Sequence, residues 1–579
     1  MSLGLVALGL IALQLTSLLL LPILWLWSRK RTARFLAEEI WALGILAACL
    51  QAITGSIWSL MTPFSSTGQL LLWGLSGIAL GEVWHRLKLS LKPLESKGWF
   101  AGIIVITLVV RLLPAYLHSG LGQSDAYSHL QFGGELLESG RLSHYIYPTG
   151  FGWVNGVALK LFHLDPYLLY RFGGATAGLA LVVGVFFVAR RASNEKVAQC
   201  AALLVAGCPL LLPLIKTGVG VFPNQFGLLL LPFLLWAVPK NGTLSLLTFT
   251  ALGLSVPIMT LDVLPAFLLY LCIQREFRKL AGCFLVGVAG SILIWVQLSN
   301  LSPLHLEVTL NLLTNDLEIQ TITELFLHYI SPKSFSYAWP VHVLIGAVTL
   351  TAGSLLFFPF FRKQGMLLIP ILTLYSGFQT TFGVFQFANY LRAGWVFLLG
   401  FALLAGWLSW SLSRRLHLQK VIRPLLALSS LLLVMYPVTH QKQLSLAEDE
   451  LVEFLWKLSK AESEVPVNVW ARPFNDFGGQ QGDPVRVFLG ARKGFKLRRP
   501  INNAASRPNP KQPSIVIIET LPPPQTGHPE HDKAVRFLWE QNDLLRESLE
   551  TIMEKERIDG YPGLEIWYWP ASLLDTLKE

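Results

Sequence analysis

Asp125 and His129 lie four residues apart in the stretch GLGQSDAYSHLQFGGELLESGRLSHYIYPTGFGWVNGVALKLFHLD, residues 120–165. That spacing puts a carboxylate and an imidazole on one face of a helix, near its start. Leu130, Gly134 and Leu137 give the helix an apolar side, and Gly140 is placed to stop it. Tyr147-Pro148-Thr149-Gly150 makes a turn, and Phe151 to Phe162 forms a second apolar helix. The stretch is flanked by two long apolar segments, so it is a membrane loop whose amphipathic helices lie along the surface. A carboxylate held there stands at the lipid–water boundary. An enzyme works at that boundary when one substrate carries a lipid tail and the other is dissolved in water. The structural alternative for Asp125 is a helix N-terminal carboxylate that only stabilises the dipole. For His129 it is a structural hydrogen bond.

Other charged side chains share that side of the membrane. Arg111 sits about two turns inside the preceding span, where a buried cation is costly and often functional; the alternative is snorkelling to the headgroups. Lys216, in IKTGVGVFPNQFG, is a phosphate ligand or an interface anchor. Arg392, in FANYLRAGW, opens a span at its outer edge, placed for a lipid phosphate or, again, as an anchor. Tyr147 in the turn is counted with the substrate-binding candidates. Asn315-Asp316-Leu317-Glu318 and Thr321-Ile322-Thr323-Glu324 supply acids that hold a divalent cation or form a solvated helix face.

These residues need a membrane scaffold, and the composition provides one. The 579 residues are 53% hydrophobic and 14% charged, with a mean hydropathy of +0.51, values of a polytopic membrane protein. The net charge of +10 falls mostly in short loops between apolar runs, so it reports topology rather than nucleic-acid binding. All five cysteines lie inside apolar segments, which argues against a disulfide framework or a cysteine zinc site. Leu3–Trp27 lacks a basic leader and is longer than a signal-peptide core, so it reads as a retained span. Arg29, Lys30, Arg31 and Arg34 follow it and place the N-terminus outside. Further spans are predicted over 40–60, 69–84, 100–118, 167–189, 197–215, 224–238, 244–259, 261–273, 281–298, 341–361, 366–381, 390–413 and 422–436. Alternating basic and nearly Lys/Arg-free loops accommodate about fourteen spans, and the short segment near Leu261 could instead be re-entrant.

The composition changes after Tyr436. Glu448–Ser459 reads as an amphipathic helix and Val465–Ala471 as a strand. Ser514–Thr520 reads as a buried strand, His531–Arg557 as a long charged helix, and Leu564–Trp569 as a strand. This pattern predicts a small α/β domain, placed outside by the span count. The basic run from Arg492 to Arg499 is a solvated face or a contact for headgroups. The organisation is thus residues 1–98 as N-terminal spans, 99–438 as the membrane core with its loop at 119–166, and 439–579 as the extracytoplasmic α/β domain.

The span ending in Arg111, SDAYSHLQFGGELLESG, YPTG, and LDPYLLYRFGG leading into the next span resemble the membrane glycosyltransferases of the GT-C superfamily. Within it they are similar to the dolichyl-phosphate-mannose mannosyltransferases and, more distantly, to the catalytic subunit of oligosaccharyltransferase. The resemblance covers about Arg111 to Arg191 and extends loosely to Arg392, leaving the first three spans as an addition. It implies a GT-C-like core in which Asp125 is the catalytic base or a metal ligand and Arg392 binds the lipid phosphate. Thr321-Ile322-Thr323-Glu324 is similar to the TIxE motif of oligosaccharyltransferase, which would make Glu324, with Asp125, a ligand of Mn²⁺ or Mg²⁺. Against that subfamily, the loop around Lys216 has no acidic motif and the Trp-Trp-Asp-Tyr-Gly signature is missing, so metal dependence stays open.

The resemblance implies transfer of a sugar from a polyprenyl-phosphate donor to a hydroxyl of a glycan, lipid or protein, at the outer face of the plasma (inner) membrane. Asp125 would act as general base, with His129 beside it. Arg392, with Arg111 or Lys216, would offset charge on the leaving phosphate. The competing classes are a flippase for lipid-linked sugars, which usually shows internal repeats not visible here, and a non-catalytic membrane scaffold.

Overall fold

The computed structural model describes residues 3–29, 36–61, 66–87, 91–121, 124–139, 150–207, 222–237, 242–276, 367–382, 390–433 and 446–460. It also describes short segments between 467 and 569 that include five strands. Two compact units emerge. One takes in Met1–Leu113, Phe132–Pro213 and Phe222–Val434; the other joins Pro114–Gln131 to Met435–Glu579.

The first unit is helical. Its elements are α1 (Leu3–Arg29), α2 (Ala37–Met61), α3 (Ser66–Leu87), α4 (Lys97–Leu117), α5 (Ser124–Ser139), α6 (Gly150–Phe162), α7 (Pro166–Ala192), α8 (Glu195–Gly207) and α9 (Phe222–Ala237). After these come α10 (Gly242–Ser255), α11 (Pro257–Ile273), α12 (Leu368–Phe382), α13 (Tyr390–Arg415) and α14 (Ile422–Leu433). The last residues of α4 and the first half of α5 belong to the second unit. Among the described residues, five helices are long and apolar enough to cross a membrane: 4–29, 37–58, 97–117, 166–192 and 396–415. Stretches 225–237, 244–255, 263–273, 368–377 and 422–432 are shorter apolar helices. The spans predicted over 281–298 and 341–361 lie outside the described residues. The division predicted near Leu261 falls earlier, at Val256, because Pro257 starts α11 at a position where its missing N–H costs nothing.

Two kinds of helix surface reveal the solvent. Phe186, Phe187, Leu203, Phe233 and Trp236 on α7 to α9 are essentially inaccessible, while Leu71, Val105 and Leu432 on α3, α4 and α14 are each about 60% exposed. Rows of exposed aliphatic side chains on long apolar helices are incompatible with water and suit lipid. The chain is a polytopic helical membrane protein. α1 to α3, read from the sequence as an addition, belong to the same unit as α7 to α14. Trp41 of α2 packs edge-on to Trp236 at 5.9 Å and donates its indole N–H to the Ala180 carbonyl at 3.0 Å.

The basic end of this bundle is held by charge. Glu195, at the start of α8, accepts the backbone N–H of Glu95 at 2.8 Å and of Ser96 at 2.7 Å, a carboxylate on the N-terminus of α4. Arg190 lies 3.7 Å from Glu195 and 3.8 Å from Glu38 and donates to the carbonyls of Lys92 and Pro93. Glu38 and Glu39, in the first turn of α2, accept the indole N–H groups of Trp236 at 2.7 Å and Trp84 at 2.9 Å.

The second unit carries α15 (Leu446–Leu458) and a five-stranded sheet of β1 (Val467–Ala471), β2 (Phe495–Leu497), β3 (Ser514–Glu519), β4 (Glu554–Glu556) and β5 (Leu564–Trp569). The strand order is β2-β1-β3-β5-β4. β1 runs parallel to both β2 and β3, whereas β5 runs antiparallel to β3 and β4. Ile515, Ile517 and Ile566 are all but inaccessible, as the unbroken apolar run of β3 requires of a central strand. The long helix expected over 531–557 does not reach its predicted end. Glu554-Lys555-Glu556 pairs with Trp567 and its neighbours as an edge strand, and its charges suit an edge. β2 had no counterpart in the sequence pattern, and it supplies part of the basic run, Lys496.

Candidate functional site: the loop between α4 and α7

The loop is built from both ends inward. At its start His118 continues the turn of α4, its N–H donating to the Pro114 carbonyl at 2.9 Å. The chain is then pinned by Asp449 of α15. One carboxylate oxygen lies 2.7 Å from His118 Nδ1, and the other accepts the Gly120 N–H at 2.6 Å. Leu121 donates its N–H to the hydroxyl of Tyr127 at 3.0 Å, so the first turn of α5 secures the residues leading into it. At the far end Asp165 caps α7, accepting the N–H of Tyr167 at 2.9 Å and of Leu168 at 3.3 Å, with Pro166 at the first helical position.

Between these fixed ends α5 and α6 form as the periodicity predicts, ending at Ser139 and starting at Gly150. Two close approaches seat them. A Cβ on Gly133 would fall 2.6 Å from the Tyr170 hydroxyl, so only glycine lets α7 approach α5 this closely. Phe151 of α6 meets the Tyr170 ring edge-on at 6.1 Å. Trp153, Val154, Val157 and Ala158 of α6 are buried. α6 is therefore a packed element, not a helix with one face open to the surface.

The predicted site residues sort as follows. Asp125 is the second residue of α5, in the first turn, where unsatisfied backbone N–H groups favour an anion. His129, one turn on, is 5% exposed, and burial pushes its imidazole down to about 3. It belongs to the packed side of α5. Arg111 is 6% exposed. Its side chain lies across α7 at Gly178, where a Cβ would be 2.7 Å from Nε; the missing side chain makes the slot the guanidinium stem occupies. Arg392 is the third residue of α13. Tyr147, Lys216, Asp316 and Glu324 lie outside the described residues. Among the described residues there is no group of three or more His, Cys, Asp or Glu able to hold a metal ion.

Sequence reasoning missed Asp449, whose partner His118 is 331 positions away. No local pattern in LAEDE marks that carboxylate over its neighbours. Tyr127 was not singled out in the sequence either.

No known family model matches the sequence, and no curated protein does. Solved structures to which the chain is similar include two membrane proteins. One is ArnT from Cupriavidus metallidurans, solved bound to undecaprenyl phosphate: 12% identity over 83% of this chain and 99% of that one, with a TM-score of 0.46. The other is the archaeal oligosaccharyltransferase AglB from Archaeoglobus fulgidus, solved with an inhibitory peptide and a dolichol-phosphate: 12% identity over 71% of this chain and 65% of that one, with a TM-score of 0.39.

Proposed function

We propose that the chain is a membrane glycosyltransferase that moves a sugar from a polyprenyl-phosphate donor to an acceptor hydroxyl at the outer face of the membrane. The observation that carries this reading is the loop between α4 and α7. Two seated helices follow a membrane span, and the first opens on Asp125, in the order in which the sequence resembles the GT-C enzymes. In the reaction, the acceptor oxygen attacks the anomeric carbon as Asp125 takes its proton, a general-base role. The bond from that carbon to the phosphate oxygen breaks, and the electron pair leaves with the lipid phosphate. Arg392, with Lys216 or Arg111, offsets the charge that grows there. Should Mn²⁺ or Mg²⁺ take part, Asp125 and Glu324 are its candidate ligands. The acceptor is a glycan, lipid or protein, and the C-terminal domain lies on the same outer side as Asp125.

Asp125→Asn keeps size and hydrogen bonding but loses the proton acceptor. Turnover with a polyprenyl-phosphate sugar in nanodiscs should fall by about two to four orders of magnitude, with donor affinity close to wild type. Near-normal turnover would remove Asp125 from the chemistry and with it this reading.

A further inference from the structure

A cavity of about 300 Å³ runs through the first unit between α1, α2, α4, α6, α7 and α9. Along α7 it extends from Leu169 to Val183, about 21 Å at the helical rise. That is somewhat more than the thickness of one leaflet's hydrocarbon. On α2 its wall follows a single helix face, through Ala37, Trp41, Gly44 and Ala48. Glycines and alanines on α2 and α7 make the room. Ile40, in the first turn of α2, lines the cavity and is itself 36% exposed.

The cavity's strongly polar lining side chains are Gln14, Asn155, Thr176 and Gln225, with the Tyr170 hydroxyl; Thr176 lies midway along the stretch of α7 that lines it, and none of the lining residues is charged. Gln14 Nε2 donates to Asn155 Oδ1 at 3.0 Å. Gln14 Oε1 and the Thr176 hydroxyl are buried with no hydrogen-bond partner among the described residues, and Thr176 is 7% exposed. A hydroxyl and a carbonyl left unmatched inside an apolar wall are costly. An amide oxygen and a hydroxyl on the wall of one cavity that has no cation suit an uncharged polar group better than a phosphate.

We propose that this cavity binds the hydrocarbon chain of a lipid alcohol, with its hydroxyl at Gln14 and Thr176. None of the cavity's lining residues is among those assigned to the donor phosphate, Arg111, Lys216 and Arg392. Two sources share this chemistry, a diacylglycerol and a long-chain prenol. The full-length chain in phosphatidylcholine nanodiscs can be offered a diazirine-bearing form of each, with a diazirine phosphatidylglycerol as the charged comparison, and the crosslinked peptides mapped. One of the two alcohols should label 169–183 and 40–48, and the probe that does so identifies the source. Ala177→Phe, which fills the cavity, should lower that labelling about tenfold. Equal labelling of the variant and wild type, labelling by neither alcohol, or equal labelling by the charged probe would overturn the proposal. The double variant Gln14→Leu with Thr176→Val keeps the volume, and should lose the preference for the alcohol over its methyl ether. An unchanged preference would also overturn it. Asp125→Asn should label as wild type does, so this test stands apart from that of the transferase reading.

Discussion

The basic end of the helical unit and the loop between α4 and α7 are built on different principles. At the basic end, charges cross between elements. Glu195 holds the start of α4 while Arg190 of α7 reaches Lys92, Pro93, Glu38 and Glu195. At the loop, one carboxylate from α15 fixes the entrance, Asp165 caps the exit, and the interior rests on close apolar contact. Charge networks with several hydrogen bonds per group permit one geometry, because every alternative strands an ion away from water. The loop's interior depends instead on fit: a Cβ on Gly133 would fall 2.6 Å from the Tyr170 hydroxyl, so one region is held by charge and the other by close packing.

The comparison breaks most severely at Glu195. Its side chain is 1% exposed, and Glu195→Ala leaves two backbone N–H groups without their acceptor and removes one of the two carboxylates beside Arg190. Loss of such a buried partner costs about 3–5 kcal/mol, and the detergent-solubilised chain should lose most of its thermal stability. A variant melting like wild type would show that the basic end is not held by charge. Asp449→Ala tests the other end. Losing charged hydrogen bonds costs on the order of 1.5–3 kcal/mol, and transferase turnover should fall by a larger factor than stability changes, since the start of α5 is released. Equal turnover would detach Asp449 from the site.

A smaller effect is expected at Gly133. Gly133→Ala should cost about 1–3 kcal/mol through overpacking against Tyr170, and the double variant with Tyr170→Phe should recover part of it. Additive losses would place the strain elsewhere. The last effect is confined to acid pH. His129 titrates near 3 when folded and near 6.5 when unfolded, so between those values the unfolded chain binds the extra proton. Stability therefore rises with pH across that window and declines as pH falls from about 6.5 toward 3. His129→Asn should flatten this dependence in a thermal-melt series, and an unchanged slope would assign it to other groups.

Much of the loop was legible because helical periodicity is local. The Asp125–His129 spacing and the second helix from Phe151 follow from residues a few positions apart, and α5 and α6 appear accordingly; the turn read at 147–149 lies outside the described residues. The buried strands Ser514–Glu519 and Leu564–Trp569 were readable for the same reason. What the sequence concealed depends on distance. Arg190 and Arg191 read only as topology signals because Glu38 and Glu195 come from other elements. The burial of His129 and Arg111 follows from α7 packing, which a single helix pattern does not encode. Glu554-Lys555-Glu556 looks helical by composition and becomes a strand only because β5 offers it an edge.

The bond between His118 and Asp449 also orders events in time. The entrance of the loop is synthesised 331 residues before its anchor, an interval of roughly 15–65 s at a synthesis rate of about 5–20 residues per second. Throughout that interval α4 and α7 can insert and pack while the turn at Gly120 lacks the carboxylate that fixes it. A ribosome stalled short of residue 449 would thus leave a bundle with its spans in place and its loop unpinned, so that completion of the C-terminal region times the assembly of the site.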